Sequence, residues 1–227
     1  MSKITKRLKL RDEGVDFSKV YSVPQALELL QERASKKFDE TVEAVFKCHI
    51  DARKEGVRAS VILPHGTGKK VTVAVFAEGD EAKAARDAGA DIVGAQDLID
   101  QVVAGQVHFQ SCVATPAMIP LLSRTVAKIL GPKKLMPNPK LGTVTADVAK
   151  VVKEIKFGKA SVCNEKAGIV HSVIGKVSFS LNHLEENFMA LYHELLRLKP
   201  ETVKSVFVKE ILLSTTMGFA LPVAVQS

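Results

Sequence analysis

The chain has 227 residues, long for one domain and short for two average ones, and is 46% hydrophobic and 25% charged, which excludes wholesale disorder and admits two compact domains. No apolar run approaches the ~18 residues that span a bilayer, and the opening "MSKITKRLKLRDEG" is basic without an apolar stretch, so it does not read as a secretory leader. The formal net charge of +7 suits a polyanionic partner.

After the basic lead, "YSVPQALELLQERA" predicts a helix. Ser22 and Gln25 fit a capping box, Pro24 suits the first turn, and Ala26, Leu27, Leu29 and Leu30 form an apolar face. In "KKFDETVEAVFKCHI", Val42, Ala44, Phe46, Cys48 and Ile50 alternate with Thr41, Glu43, Lys47 and His49, which predicts a strand with one buried face. The polar "DARKEG" leads to "VRASVIL", expected to be the other arm of a hairpin.

Beyond "PHGTGKK" the pattern changes. "VTVAVF" is a continuous apolar strand of the kind buried on both faces. "GDEAKAARDAGA" predicts a helix capped by Asp80 and ended at Gly89. "DIVG" is a short strand, "AQDLIDQVVAG" a helix, "VHFQSCVA" a strand, and "TPAMIPLLSRTVAKILG" a helix with Thr115 as N-cap and Pro116 first. The loop "GPKKLMPNPKLGT" and the helix "TADVAKVVKEIKF" close this segment at Gly158. The earlier style then returns. "ASVCN" and "GIVHSVIGKVSF" are strands flanking the turn "EKAG", "NHLEENFMALYHELLRLKP" is an amphipathic helix, and "VKSVFVKEILL" is expected to be the last strand.

Residues 1–66 and 160–227 each offer two or three strands and one helix, marginal alone. Together they make an α+β domain with a mostly antiparallel sheet and two helices. Residues 69–158, alternating strand and helix, make a self-contained Rossmann-like parallel α/β domain. The expected fold is therefore α/β in two domains, the second inserted into a discontinuous first. Hinges fall near 66–68 and 158–159, at Gly66, Gly68 and Gly158. Charge is uneven: residues 69–158 hold 12 Lys and Arg against 9 Asp and Glu, and the remainder 20 against 16, with five of the 20 at Lys3, Lys6, Arg7, Lys9 and Arg11. Apart from that lead, the outer segments are almost neutral, so nucleic-acid binding there requires directed hydrogen bonds and shape as well as charge.

Catalytic and ligand motifs fail one by one. "HGTGKK" lacks the phosphate-loop spacing, because Leu63 stands where a glycine is required and Lys70 where Ser or Thr is required. "FAEGDEA" offers one glycine where a dinucleotide fingerprint needs three. The six histidines show no paired ligand spacing, no serine lies in G-x-S-x-G, and Cys48, Cys112 and Cys163 form no C-x-x-C pair. Neither a disulfide framework, a metal nor a cofactor is expected, and a reducing cytoplasm is the simplest setting. Two stretches keep a functional reading beside a bland one. "GPKKLMPNPKLGT" is either a solvated linker or a stiff basic loop that tracks phosphates. "KKFDET" and "STTMG" are either ordinary strand ends or, if their strands are neighbours, a surface offering cations, hydroxyls and apolar platforms to RNA.

Several of these stretches resemble the L-one family of large-subunit ribosomal proteins, the protein of the mobile side stalk. They are "KFDETVE" at Lys37–Glu43, "LPHGTGK" at Leu63–Lys69, "AGADIVG" at Ala88–Gly94, "VATP" at Val113–Pro116, "ILGP" with "LMPNPKLGTVT" across Ile129–Thr145, and "STTMG" at Ser214–Gly218. The resemblance runs in order from about residue 3 to 225. It implies a non-enzymatic protein of the cytoplasmic ribosome, monomeric outside it, whose first domain binds a kinked element of large-subunit rRNA. Carried over by position, Lys37, Phe38, Thr41, Thr216, Met217 and Gly218 are the implied contacts, with Lys36, Thr215, Lys166, Gly168 and His171 as weaker candidates. It also implies assistance to tRNA release from the exit site and repression of the protein's own operon mRNA. Lys133 and Lys134 stand where an Arg-Gly pair is common, "GQVHFQS" replaces a Trp- and Asp-bearing stretch, and "DARKEG" is shorter than usual. A rival reading from another class is a nucleotide- or small-molecule-binding enzyme that uses the middle α/β segment.

Overall fold

The computed structural model describes residues 14–50, 56–201, 203 and 206–225. The basic lead and all of the "DARKEG" loop except Gly56 lie outside the described residues. The chain divides into two compact units, residues 1–68 with 160–227, and residues 69–159.

In the first unit the elements are β1 (Tyr21–Ser22), α1 (Val23–Arg33), β2 (Thr41–Cys48) and β3 (Arg58–Ile62), then β7 (Lys159–Cys163), β8 (Ile169–Lys176), α7 (Leu181–Arg197), β9 (Val208–Thr215) and β10 (Ala220–Ala224). Five strands form one sheet in the order β1-β10-β9-β2-β8, antiparallel except where β1 meets β10. The alternation in β2 governs which face is covered. Val42, Ala44, Phe46 and Cys48 are buried with Leu27 and Leu30 of α1 and Leu184, Phe188, Leu191 and Leu195 of α7. Phe46, Phe188 and Tyr192 stack at this centre, with ring centroids 5.9–6.5 Å apart. Both helices thus cover one side, while Glu43, Val45 and Lys47 face the other.

Two expectations fail here. The "VRASVIL" strand is no hairpin partner of β2: β3 pairs with β7 in a separate two-stranded sheet, while β2 takes β8 and β9 as neighbours. β2 is a central strand, and a local hairpin cannot satisfy both its edges. Nor is "VKSVFVKEILL" the last strand, for β10 follows it and pairs back through Leu221↔Leu213. Pro222 argues against a strand because it cannot donate to a ladder. The structure tolerates it because β1 pairs only with Val223 and Ala224.

Asn187 of α7 is fully buried. Its Nδ2 donates to the Gly66 and Ile174 carbonyls at 3.0 and 2.8 Å, and its Oδ1 accepts the His65 N–H at 3.0 Å. Every polar atom of the amide that can bond backbone does so, which offsets its desolvation.

In the second unit β4 (Val73–Phe76) lies between β5 (Ile92–Gly94) and β6 (Ser111–Ala114), all parallel. The helices are α2 (Gly79–Asp87), α3 (Gln96–Val103), α4 (Ile119–Thr125), α5 (Ala127–Leu130) and α6 (Val148–Phe157). Alternate residues of β4 feed two cores. Ala74 and Phe76 pack with Leu98, Ile99, Leu122 and Leu130, whereas Val73 and Val75 pack with Ala85, Val148, Val152 and Ile155. Burial on both faces explains the unbroken apolar run. Asp91 secures the edge: its carboxylate accepts the Val73 N–H at 2.8 Å and a Lys156 Nζ–H at 3.1 Å. The backbone bond first and the lysine second hold its pKa below the usual carboxylate value.

Three details differ from expectation in this unit. Glu78, not Asp80, occupies the N-cap of α2, and Asp80 sits in its first turn. The strand within "VHFQSCVA" is only Ser111–Ala114. The helix expected over "TPAMIPLLSRTVAKILG" breaks into a 3-10 turn at Pro116–Met118 followed by α4 and α5, and Thr115 makes no side-chain cap bond. Pro120, in the first turn of α4, lacks the donor that would carry one continuous helix through. No described helix is long and apolar enough to cross a membrane.

Candidate nucleic-acid interface

β2 and β9 are neighbours with Val42 opposite Thr215, so the loop that enters β2 and the turn that leaves β9 meet at one end of the sheet. "STTMG" is thus split. Ser214 and Thr215 finish β9, and Thr216–Phe219 make the turn into β10.

The two stretches are locked together by backbone bonds. The Thr216 N–H donates to the Thr41 carbonyl at 3.1 Å, and the Thr41 N–H donates to Thr216 Oγ1 at 2.9 Å. A hydroxyl carries one donor and two lone pairs. The Thr216 hydroxyl spends one lone pair on Thr41 and lies 3.4 Å from the Thr41 carbonyl oxygen. Below this pair lies Glu40, only 1% exposed. Its carboxylate accepts the Ser35 N–H at 2.7 Å and the Met217 N–H at 3.1 Å, while its carbonyl accepts the Val177 N–H at 3.0 Å. One buried anion therefore ties the 34–40 loop, the 216–219 turn and the end of β8 into a rigid unit.

Apolar and cationic groups stand outward from that base. Phe38 is 48% and Met217 51% exposed, although both are large apolar side chains. Lys36, Lys37 and Thr216 are also exposed. Lys176, paired with Thr41 across β2 and β8, donates from Nζ to Thr41 Oγ1 at 2.8 Å and to the Asp39 carbonyl at 3.3 Å. Its stem passes Gly68, where an added Cβ would stand 2.9 Å from Lys176 Cγ. Gly218 is required by space: a Cβ there would lie 2.0 Å from Thr215 Oγ1, which no side chain permits.

Not all the expected residues gather here. Thr215 points into the core, 6% exposed, so its hydroxyl is not a surface group. Gly168 sits beside Cys48, whose N–H donates to its carbonyl at 3.0 Å. That is the other end of β2, seven residues or ~23 Å from Thr41. Gly168 has φ +76°, and a Cβ there would stand 2.9 Å from the Cys48 carbonyl oxygen, so turn geometry accounts for this glycine. Lys166 belongs to the same remote turn, and His171 lies mid-strand opposite Val45. Conversely, sequence reasoning passed over Glu40 and Lys176. The register of β2 against β8 was needed to place Lys176 at Thr41, and Glu40 resembles any loop carboxylate until its burial is seen.

The described residues contain no cluster of three or more His, Cys, Asp or Glu able to hold a metal ion. The arrangement is a rigid surface of backbone-anchored hydroxyls and cations with two large apolar side chains left exposed, groups of the kind that contact a folded polyanion by shape and hydrogen bonds. The family model for the ribosomal protein L1p/L10e family matches residues 30–219, and the chain belongs to that family. It is 50% identical over 225 residues to the large ribosomal subunit protein uL1 of Corynebacterium aurimucosum, covering 98% of this chain and 96% of that protein. To the protein of the same name from Teredinibacter turnerae it is 48% identical, covering 98% and 97%.

Proposed function

We propose that this chain is an rRNA-binding component of the large ribosomal subunit in the bacterial cytoplasm, without enzymatic activity, and that it docks RNA on the Thr41–Thr216 end of its five-stranded sheet. The carrying observation is the reciprocal Thr41–Thr216 lock above the buried Glu40 carboxylate, with Phe38 and Met217 left exposed beside it. Large apolar side chains held half-exposed on a rigid polar base offer stacking surface at little entropic cost. Lys37, Phe38, Thr41, Thr216, Met217 and Gly218 are the proposed contacts, with Lys36 and Lys176 beside them. The RNA is the stalk element of large-subunit rRNA, and an operon mRNA that imitates it binds the same surface as a repressor target. The second unit, a Rossmann-like insertion linked at Gly66, Gly68 and Gly158, contributes to tRNA release from the exit site. Positive φ at all three glycines (69°, 69° and 126°) supports them as the linking points. Outside the ribosome the protein is a monomer.

Gel shift of the full chain with a structured stalk-rRNA fragment, run beside thermal shift with nucleotides, tests this reading. RNA binding abolished by excess unlabelled fragment is expected. A nucleotide-induced stabilisation without RNA binding overturns it in favour of the enzyme reading.

A further inference from the structure

A groove of about 180 Å³ opens on the second unit, where the end of α3, the segment 105–109 and the loop after α5 meet. Its walls include Val103, Val107, Phe109, Ile129, Leu130 and Leu135, and His108 and Lys133 stand among them. Val103 is 53% exposed here, an apolar side chain that the fold leaves in water. The lip is fixed from within. The Cys112 thiol donates to the Leu135 carbonyl at 2.6 Å, and the Leu135 N–H donates to the Leu130 carbonyl at 3.0 Å. Across the groove, the Asp100, Gln101 and Val102 carbonyls at the end of α3 accept the Ala104, Gln106 and Gly105 N–H groups, so these acceptors are already used.

Size and wall chemistry say what fits. The volume lies below the ~300 Å³ of small-molecule sites and leaves room for one large side chain. Phe109 is half-buried and meets Phe76 edge-on, with centroids 6.3 Å apart, and the other apolar walls are aliphatic. That lining favours a side chain over a base, which stacks on an open aromatic face.

Charge says what surrounds that side chain. Residues 101–110 and 126–136 contain Lys128, Lys133 and Lys134 and neither Asp nor Glu. The three lysines are exposed, and none joins an ion pair among the described residues. Asp100 is engaged away from the groove: its carboxylate accepts from Gln96 Nε2 at 3.2 Å, one turn back along α3. Lys134 is also the one non-glycine among the described residues with positive φ, 58°. That backbone suits glycine and strains a lysine, and no ion pair of its side chain offsets the strain.

We propose that this groove docks an acidic protein segment, which seats one large apolar side chain among Val103, Val107 and Leu135 and sets carboxylates against Lys128, Lys133 and Lys134. The walls supply the anchor, and the rim supplies steering and selection against basic partners. The site uses none of the residues of the Thr41–Thr216 end and stands apart from the RNA-docking reading.

The test follows amide cross-peaks of the nitrogen-15-labelled full chain. The probes are a nine-residue peptide of Asp and Glu around one central Phe, the same peptide with Ala at its centre, a Lys-rich counterpart, and bulk tRNA. The Phe peptide is expected to move the Val103, Val107, Phe109 and Leu135 peaks. The Ala peptide binds at least ~10-fold more weakly, and the Lys-rich one leaves the peaks in place. Val103→Asp, at an exposed wall, weakens the Phe peptide ~10-fold. Lys133→Glu combined with Lys134→Glu weakens it ~5- to 25-fold at 50 mM KCl and less at 300 mM. Lys134→Gly separates the two roles of that residue: it raises the thermal midpoint by relieving the backbone and still lowers peptide affinity ~2- to 5-fold. Equal binding of the Phe and Ala peptides, or wild-type affinity in Val103→Asp, overturns the groove. Wild-type affinity in both lysine variants overturns the acidic partner. Transfer RNA that moves the same four peaks, where the Phe peptide leaves them still, overturns the proposal in favour of an RNA site.

Discussion

The two ends of β2 are built from the same three strands and are opposite in character. At Thr41, a buried carboxylate and two interstrand bonds hold a loop and a turn rigid while Phe38, Met217 and the lysines stay exposed. At Cys48, the turn from β7 closes over the strand, Gly168 is buried, and backbone bonds within the hairpin complete the accounting. One end spends its polar groups on holding a surface open, the other on closing one. Neighbouring strands alone do not decide which end of a sheet stays open. The difference is that an anion beneath the first end fixes the backbone without using the outward side chains.

The largest test of this contrast is Glu40→Gln. It removes one acceptor and sets an amide N–H against a backbone N–H. Losing a charge-assisted bond of ~2–3 kcal/mol should weaken RNA binding by ~50-fold or more at every salt concentration and lower the thermal midpoint. Binding assays beside thermal melts check both. Next is Thr216→Val, which leaves the Thr41 N–H without its hydroxyl acceptor. It should cost about tenfold at both 100 and 500 mM KCl, whereas Lys37→Ala should cost ~5-fold at the lower salt and almost nothing at the higher. Parallel salt profiles for the two variants would contradict the assigned roles. At the closed end the expectation reverses. Gly168→Ala should destabilise by ~1–2 kcal/mol in denaturant melts, because its φ is positive and its Cβ would crowd Cys48, yet leave RNA affinity of the folded protein within about twofold.

The smallest expected effect concerns Cys48 itself. Burial pushes its thiol up from 9.0 to about 11. The folded state therefore keeps a proton that the unfolded chain has begun to lose at 9. The resulting stabilisation is complete below pH 9 and fades as pH rises from 9 through 11. Alkylation at pH 8 should reach the half-buried Cys163 well before Cys48 or Cys112, whose thiol burial raises to about 12. Mass spectrometry of timed samples would show the order.

Much of this was legible in periodicity. The alternation of Val42, Ala44, Phe46 and Cys48 gave the buried face of β2, and "VTVAVF" gave a strand covered on both sides. Pairing was not legible, because the hydrophobic face of "VRASVIL" is satisfied equally by β2 or by β7. β10 carries a weak strand signal in sequence, because Pro222 within it has no donor for a ladder. At the site, Phe38, Thr41, Thr216 and Met217 could be named in sequence but joined only conditionally, since adjacency depends on which strands pair. Glu40 and Lys176 bond to groups brought together from separate strands, and no local pattern marks that. Thr215 and Thr216, adjacent and identical in type, were separable only by where β9 ends: the last strand residue faces the core and the first turn residue faces out.

Lys176 carries one consequence of its own. Its ammonium holds the Thr41 hydroxyl, and its stem lies against the space a Gly68 side chain would fill. The two ends of a single side chain thus report to one another. A side chain at Gly68 would crowd that stem and the Phe179 ring, and at a φ of +69° it would strain the backbone as well, so the residue that donates to Thr41 is also one that limits what Gly68 can become.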